Sequence, residues 1–237
     1  MRLPSFLLAL IFVTAHYLLV RLAGAPREFA TRSALFLCTG GAFLQLAVAA
    51  EIDLLFGFLC ALGQGLSLLA NLRTSRSFTI LTYLALALGM LAKGPIAIVF
   101  VLLPHLVLAI YLKRPQLGAN LLGALLAFGI PALWVAALTA EVGVDRLLAV
   151  QEIEHLHRFF GPDRKSHGPL FYLPAIFITL LPWSLLLLAG VVTFARRWRA
   201  APRLIRVANK AITPKELFTV HLLLTVGLGV SLLMIAD

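Results

Sequence analysis

The chain has 237 residues, of which 61% are apolar and 13% charged, with twenty Lys and Arg against ten Asp and Glu. A soluble domain carries about a quarter charged residues, so this composition, with a mean hydropathy of +0.99, excludes an ordinary water-soluble fold. A net charge of +10 would suggest nucleic acid in a soluble protein, but here the basic residues fall in short clusters between apolar runs. That is how helices are anchored at a membrane surface, so lipids rather than nucleic acid are the expected partner.

A helix needs about 20 apolar residues to cross the hydrocarbon core. Runs of that kind lie at about 4–22, 33–50, 54–71, 78–92, 95–112, 118–140, 169–194 and 217–236. They predict an all-α, polytopic transmembrane bundle of about eight membrane helices, built as a single domain over 1–237. The fourth and fifth runs are separated only by Lys93-Gly94-Pro95 and are read as two helices joined by a tight turn. Cys38 and Cys60 both lie inside apolar runs, so they are packing residues rather than a disulfide framework or metal site.

Basic residues collect on the cytoplasmic side. Placing Arg196, Arg197, Arg199, Arg203, Arg206, Lys210 and Lys215 inside and alternating backwards puts fourteen basic residues inside and six outside. Glu51, Asp53, Lys93 and the whole 141–168 segment then share the outer face with eight of the ten acidic residues. The same alternation places the N-terminus outside, although the chain opens Met-Arg-Leu-Pro straight into an apolar run. Leu22-Ala23-Gly24-Ala25 is passable as a signal cleavage site, but cutting there would leave Arg27 and Arg32 on the outer side. A missing upstream helix and loop accounts for the start better.

Three outer-face features are candidates for chemistry. Glu51 and Asp53 interrupt a hairpin that is otherwise apolar. Carboxylates are costly at membrane depth, so they mark either a solvated tip, with Asp53 capping the next helix, or a functional site. Lys93 ends a run beside Gly94 and Pro95, where a cation next to helix amides suits a phosphate and where a snorkelling interfacial lysine fits as well. The 28-residue outer loop 141–168 contains a helix-like stretch at 144–160 with Ala149, Ile153, Leu156 and Phe160 on one face and Gln151, Glu154, His155 and Arg158 on another. Such a helix would lie in the interface, before a polar turn leading to His167. Glu154 and His155 would need a third ligand from elsewhere to hold a metal. His16, Gln45, Gln64, His105 and His221 are isolated within apolar runs, the usual pattern of residues that bridge helices.

Four strings occur in order: RLPSFLLALIFVTAHYLLVRL, AAEIDLLFGFLCAL, GMLAKGPIAIVFVLLPHLVL and EHLHRFFGPDRKSHGPLFYLPAIFITLLPWSLLL. Together they resemble the aminoarabinose transferase and protein O-mannosyltransferase-like membrane glycosyltransferases over positions 2 to about 190. The EHxxRF…HGPxxYLP…LPWSLL stretch is the most specific part and LxKGP the next. The resemblance implies a GT-C fold and transfer of a sugar from a polyprenyl-phosphate donor to an acceptor hydroxyl on a lipid, glycan or protein. The reaction would take place at the outer face of a bacterial inner membrane. It implies that Asp53, with Glu51, supplies the catalytic carboxylate and that Lys93 and Arg158 contact the donor phosphate. It further implies that His155 is a metal ligand or phosphate contact, with a divalent metal as cofactor in some members. Relatives begin one helix and one acidic outer loop earlier and continue further, which makes this chain a fragment by that comparison. The alternatives are a non-catalytic truncated remnant of such an enzyme and a membrane transporter.

Overall fold

The computed structural model of the chain describes residues 3–49, 51–112 and 116–151, with the separate positions Pro174, Phe177, Trp183–Leu185, Ala189 and Val192. The described residues are all-helical. In chain order they form α1 (Leu3–Leu22), α2 (Arg27–Cys38), α3 (Gly41–Val48), α4 (Asp53–Arg73), α5 (Arg76–Lys93), a π-helical turn (Ile98–Leu102) that runs into α6 (Leu103–Tyr111), α7 (Leu117–Val142) and α8 (Val144–Gln151). Three of these, α1, α4 and α7, are long and apolar enough to cross a membrane, or four spans if the bent pair α2–α3 counts as one. That is compatible with an integral membrane protein. The expected spans at 169–194 and 217–236 lie outside the described residues, apart from the separate positions named above.

α1 and α2, and α4 and α5, form antiparallel hairpins. α1 ends in a turn in which Gly24 takes a φ of +92°, and the Arg21 guanidinium donates to Ala25 O at 2.7 Å. The chain then reverses at Pro26 into α2, and His16 and Ser33 bond across the hairpin at 2.6 Å. The run expected at 33–50 is not one helix. α2 starts earlier, at Arg27, and stops at Cys38; α3 leaves at 62° to it. The Thr39 hydroxyl donates back to Leu35 O at the last turn, and Gly40 and Gly41 follow. A side-chain bond to the helix's own carbonyl next to two glycines favours a break there.

α4 is the central helix. Gly65 lies against Leu19 of α1, and Gly63 lies against Val101 of the π turn. On the other side of α5, Tyr83 packs so closely on Gly123 of α7 that a Cβ there would lie 2.2 Å from its ring. Small residues at these crossings let helices approach where lipid supplies no hydrophobic drive. Cys60, Tyr83, Leu86, Val101 and Ala127 form the main apolar core, and a second one centres on Phe12, which meets Phe43 and Phe58 edge-on.

The segment expected as a helix at 95–112 carries a register change. A regular helix would have the residue four beyond Phe100 donate to Phe100 O, but that residue is Pro104, which has no N–H. The turn widens to π geometry over Ile98–Leu102, and Gln64 Nε2 of α4 donates to Phe100 O at 3.0 Å instead. Of the helix expected at 144–160, α8 covers Val144–Gln151; the remainder lies outside the described residues.

Candidate functional site

Two polar groupings sit at different levels of the bundle, one at an end and one in the interior. At one end, Asp53 opens α4 and Lys93 closes α5, and the Lys93 ammonium donates directly to Asp53 Oδ1. The turn after Asn71 and Arg73 lies at the other end of the same helix pair, so a hairpin of matched helices brings positions 53 and 93 together. Lys93 is held from below as well: its Nζ lies 5.8 Å from the centroid of the Phe56 ring, one turn into α4. Phe56 in turn meets Phe100 edge-on at 6.3 Å. Gly94, at a φ of +81°, turns the chain immediately after the lysine, a conformation suited to glycine. The side chains of Lys93 and Asp53 keep 45% and 43% of their exposure, so the pair is reachable from the surrounding medium.

Asp53 does not cap α4, contrary to one sequence expectation. The N-cap is Ile52, and Asp53 is the first helical residue, with its carboxylate turned to Lys93. Its negative charge in the first turn still favours the helix dipole. Glu51 is exposed just ahead of it, with no polar partner among the described residues. Arg158, His155, Glu154 and His167 lie outside the described residues, so the structure brings together Asp53 and Lys93 from the expected set and leaves Glu51 beside them. Among the described residues no three His, Cys, Asp or Glu side chains gather to hold a metal, and the Asp53 carboxylate is taken up by Lys93. The described residues therefore do not supply a metal site.

The second grouping is buried. His105 of α6 is 2% exposed; its Nδ1 lies 2.9 Å from Ser67 Oγ of α4 and its Nε2 3.2 Å from Asn120 Oδ1 of α7. An amide oxygen only accepts, so Nε2 carries the proton and Nδ1 accepts from the Ser67 hydroxyl. Asn71 Nδ2 donates to Ser67 O at 2.9 Å, and Tyr83 meets the imidazole edge-on. Ser67 is fourteen residues along α4 from Asp53, about 21 Å at the helical rise. Of the five polar residues expected to bridge helices, His16, Gln64 and His105 each make such a bond; Gln45 is exposed and makes none among the described residues, and His221 lies outside them. Sequence reading did not foresee Ser67, Asn71 and Asn120, although Ser67 and Asn71, four apart, mark a polar stripe on an apolar helix.

A third contact ties a separately described position to the bundle. Trp183 stacks on Phe36 with ring centroids 4.0 Å apart and donates its Nε1–H to Thr39 Oγ1 at 2.8 Å. Trp183 thus reaches the break between α2 and α3.

Comparisons with protein-family models, with curated proteins and with solved structures find no match to this chain.

Proposed function

We propose that the chain is a GT-C-type membrane glycosyltransferase, with about eight membrane helices in the whole bundle. It would transfer a sugar from a polyprenyl-phosphate donor to an acceptor hydroxyl on a lipid, glycan or protein. The pairing of Asp53 with Lys93 supports this reading most strongly. It puts a carboxylate and a cation side by side at one accessible end of the helices, where a sugar phosphate and an acceptor have to meet. Under this reading that end faces the periplasm from a bacterial inner membrane. The excess of basic residues at the opposite end is consistent with that orientation.

In the proposed reaction the acceptor oxygen attacks the anomeric carbon. Its proton passes to Asp53, and the bond from that carbon to phosphate oxygen breaks, with the electron pair leaving on the polyprenyl phosphate. General-base assistance of this kind contributes about 10²- to 10⁴-fold. Lys93 would exchange its bond to Asp53 for one to the leaving phosphate, which neutralises the developing charge and frees the carboxylate to accept the proton. Glu51 would act beside Asp53, and Arg158 and His155 would complete the phosphate site.

A transporter gains one supporting observation, the broken pair α2–α3, because discontinuous helices form substrate sites in such proteins. Here, however, the break is filled: Thr39 is bonded to Leu35 O and to Trp183, and the ring of Trp183 covers Phe36. The glycosyltransferase reading is therefore preferred.

The test is turnover by purified protein in lipid nanodiscs supplied with a synthetic polyprenyl-phosphate sugar and membrane extract as acceptor. Polyprenyl phosphate should be released, with Asp53→Asn at least 10²-fold slower and Lys93→Ala weaker in donor binding. No release from folded protein, or full activity in Asp53→Asn, would sink the reading.

A further inference from the structure

From the end of the bundle opposite Asp53 and Lys93 toward its middle, α1 and α2 leave between them a groove of about 370 Å³. That volume falls within the range of small-molecule sites, about 300–1,000 Å³. Tyr17 and Arg27 line its mouth: Arg27 is the first residue of α2, and Tyr17 lies five residues before the end of α1. Val13 and Leu35 line it further along the helices, with Leu35 about 12 Å along α2 from Arg27 at the helical rise. The groove therefore leads from a cation and a phenol into apolar surface.

This end of the bundle carries Arg21, Arg27, Arg32, Arg73 and Arg76 against the single carboxylate of Glu28 among the described residues. Most of those cations are engaged. Arg21 donates to Ala25 O, Arg73 donates to Leu22 O and lies over the Phe78 ring, and Arg32 pairs with Glu28 at 3.6 Å. The Arg27 guanidinium has no polar partner among the described residues, and no side chain caps the α2 N-terminus where it sits. The other hydroxyls of the groove are committed: Thr14 donates to Leu10 O at 2.8 Å and Thr31 to Arg27 O at 3.0 Å. Tyr17 and Arg27 are left as the donors available to an occupant.

We propose that this groove binds one anionic phospholipid, its phosphate on Arg27 and the Tyr17 hydroxyl and one acyl chain along Val13 and Leu35. Arginine suits a phosphodiester because its planar donors engage two oxygens at once. The net positive charge of this end selects an anionic headgroup over a zwitterionic one, whose own ammonium would be repelled. Exposed Leu10, Leu18 and Leu35 rim the two helices, so the groove opens among side chains that face lipid rather than water. The site is independent of the proposed transfer reaction and begins at the other end of the molecule.

The experiment uses the full chain in phosphatidylcholine nanodiscs doped with phosphatidylglycerol that carries a diazirine on one acyl chain. Crosslinks are mapped by mass spectrometry and compared with those from equally labelled phosphatidylcholine. Labelling by phosphatidylglycerol should concentrate on positions 13–17 and 31–35 and exceed that by phosphatidylcholine about fivefold. Arg27→Gln should remove that excess and Tyr17→Phe reduce it, while Arg76→Gln, at the same end but outside the groove, should keep it. The proposal is overturned by equal labelling with the two lipids or by an excess that survives Arg27→Gln in folded protein. An absence of crosslinks on α1 and α2, meaning that protein fills the groove, would overturn it too. So would loss of labelling on adding inorganic phosphate, which would mark a site for a soluble anion.

Discussion

The two polar groupings of this bundle use similar chemistry in opposite ways. Asp53 and Lys93 meet at a surface, each nearly half exposed, and each retains capacity for other partners. Ser67, His105 and Asn120 meet in the interior, where the imidazole has spent both of its nitrogens and the surrounding helices admit nothing else. An exposed ion pair contributes little to stability and can be exchanged for a ligand; a saturated buried network contributes more and cannot. The contrast assigns ligand chemistry to the first grouping and helix alignment to the second.

Substitutions should separate the two groupings by size of effect. The largest is expected from Gly123→Leu, which would drive a side chain into Tyr83 and through it onto His105. A loss of about 3 kcal/mol or more is expected in a reversible unfolding assay in mixed micelles. His105→Leu should cost about 2 kcal/mol in the same assay, because Ser67 and Asn120 lose their shared partner while buried. Gln64→Leu leaves Phe100 O without its donor and should cost about 1 kcal/mol. The smallest effect belongs to Asp53→Asn and Lys93→Met, where a double-mutant cycle should give a coupling of about 0.2–1 kcal/mol that shrinks with added salt. If the Asp53–Lys93 coupling proved larger than the loss on His105→Leu, the assignment of roles to the two groupings would have to be reversed.

Much of this arrangement is legible in the amino-acid sequence because the membrane imposes simple rules. Apolar run lengths locate α1, α4, α5 and α7 to within a few residues, and counting basic residues by side is enough to place Asp53 and Lys93 at one end of the bundle. Features set by single side chains are harder to read. The run at 33–50 has the length of one span, yet Thr39 and the glycines after it divide it; the Thr-Gly-Gly string was the available signal. Isolated polar residues can be recognised as helix bridges without showing which residues they bridge to, since Ser67 and Asn120 become partners of His105 only once three helices are assembled. Asp53 reads as a cap from its position, but a lysine forty residues later competes for the same carboxylate and wins.

The π turn at Ile98–Leu102 has a consequence for helix phase. A π turn accommodates one extra residue, so every side chain beyond it is rotated by about 100° relative to an uninterrupted α-helix. His105 lies just beyond that point and faces Ser67 because of the inserted residue. Deleting one residue from Ile98–Leu102 would return the segment to α-helical phase and swing the imidazole away from both of its partners. A one-residue deletion in an apolar stretch would thus act on the molecule as a substitution of His105 would, with no polar group removed from the sequence.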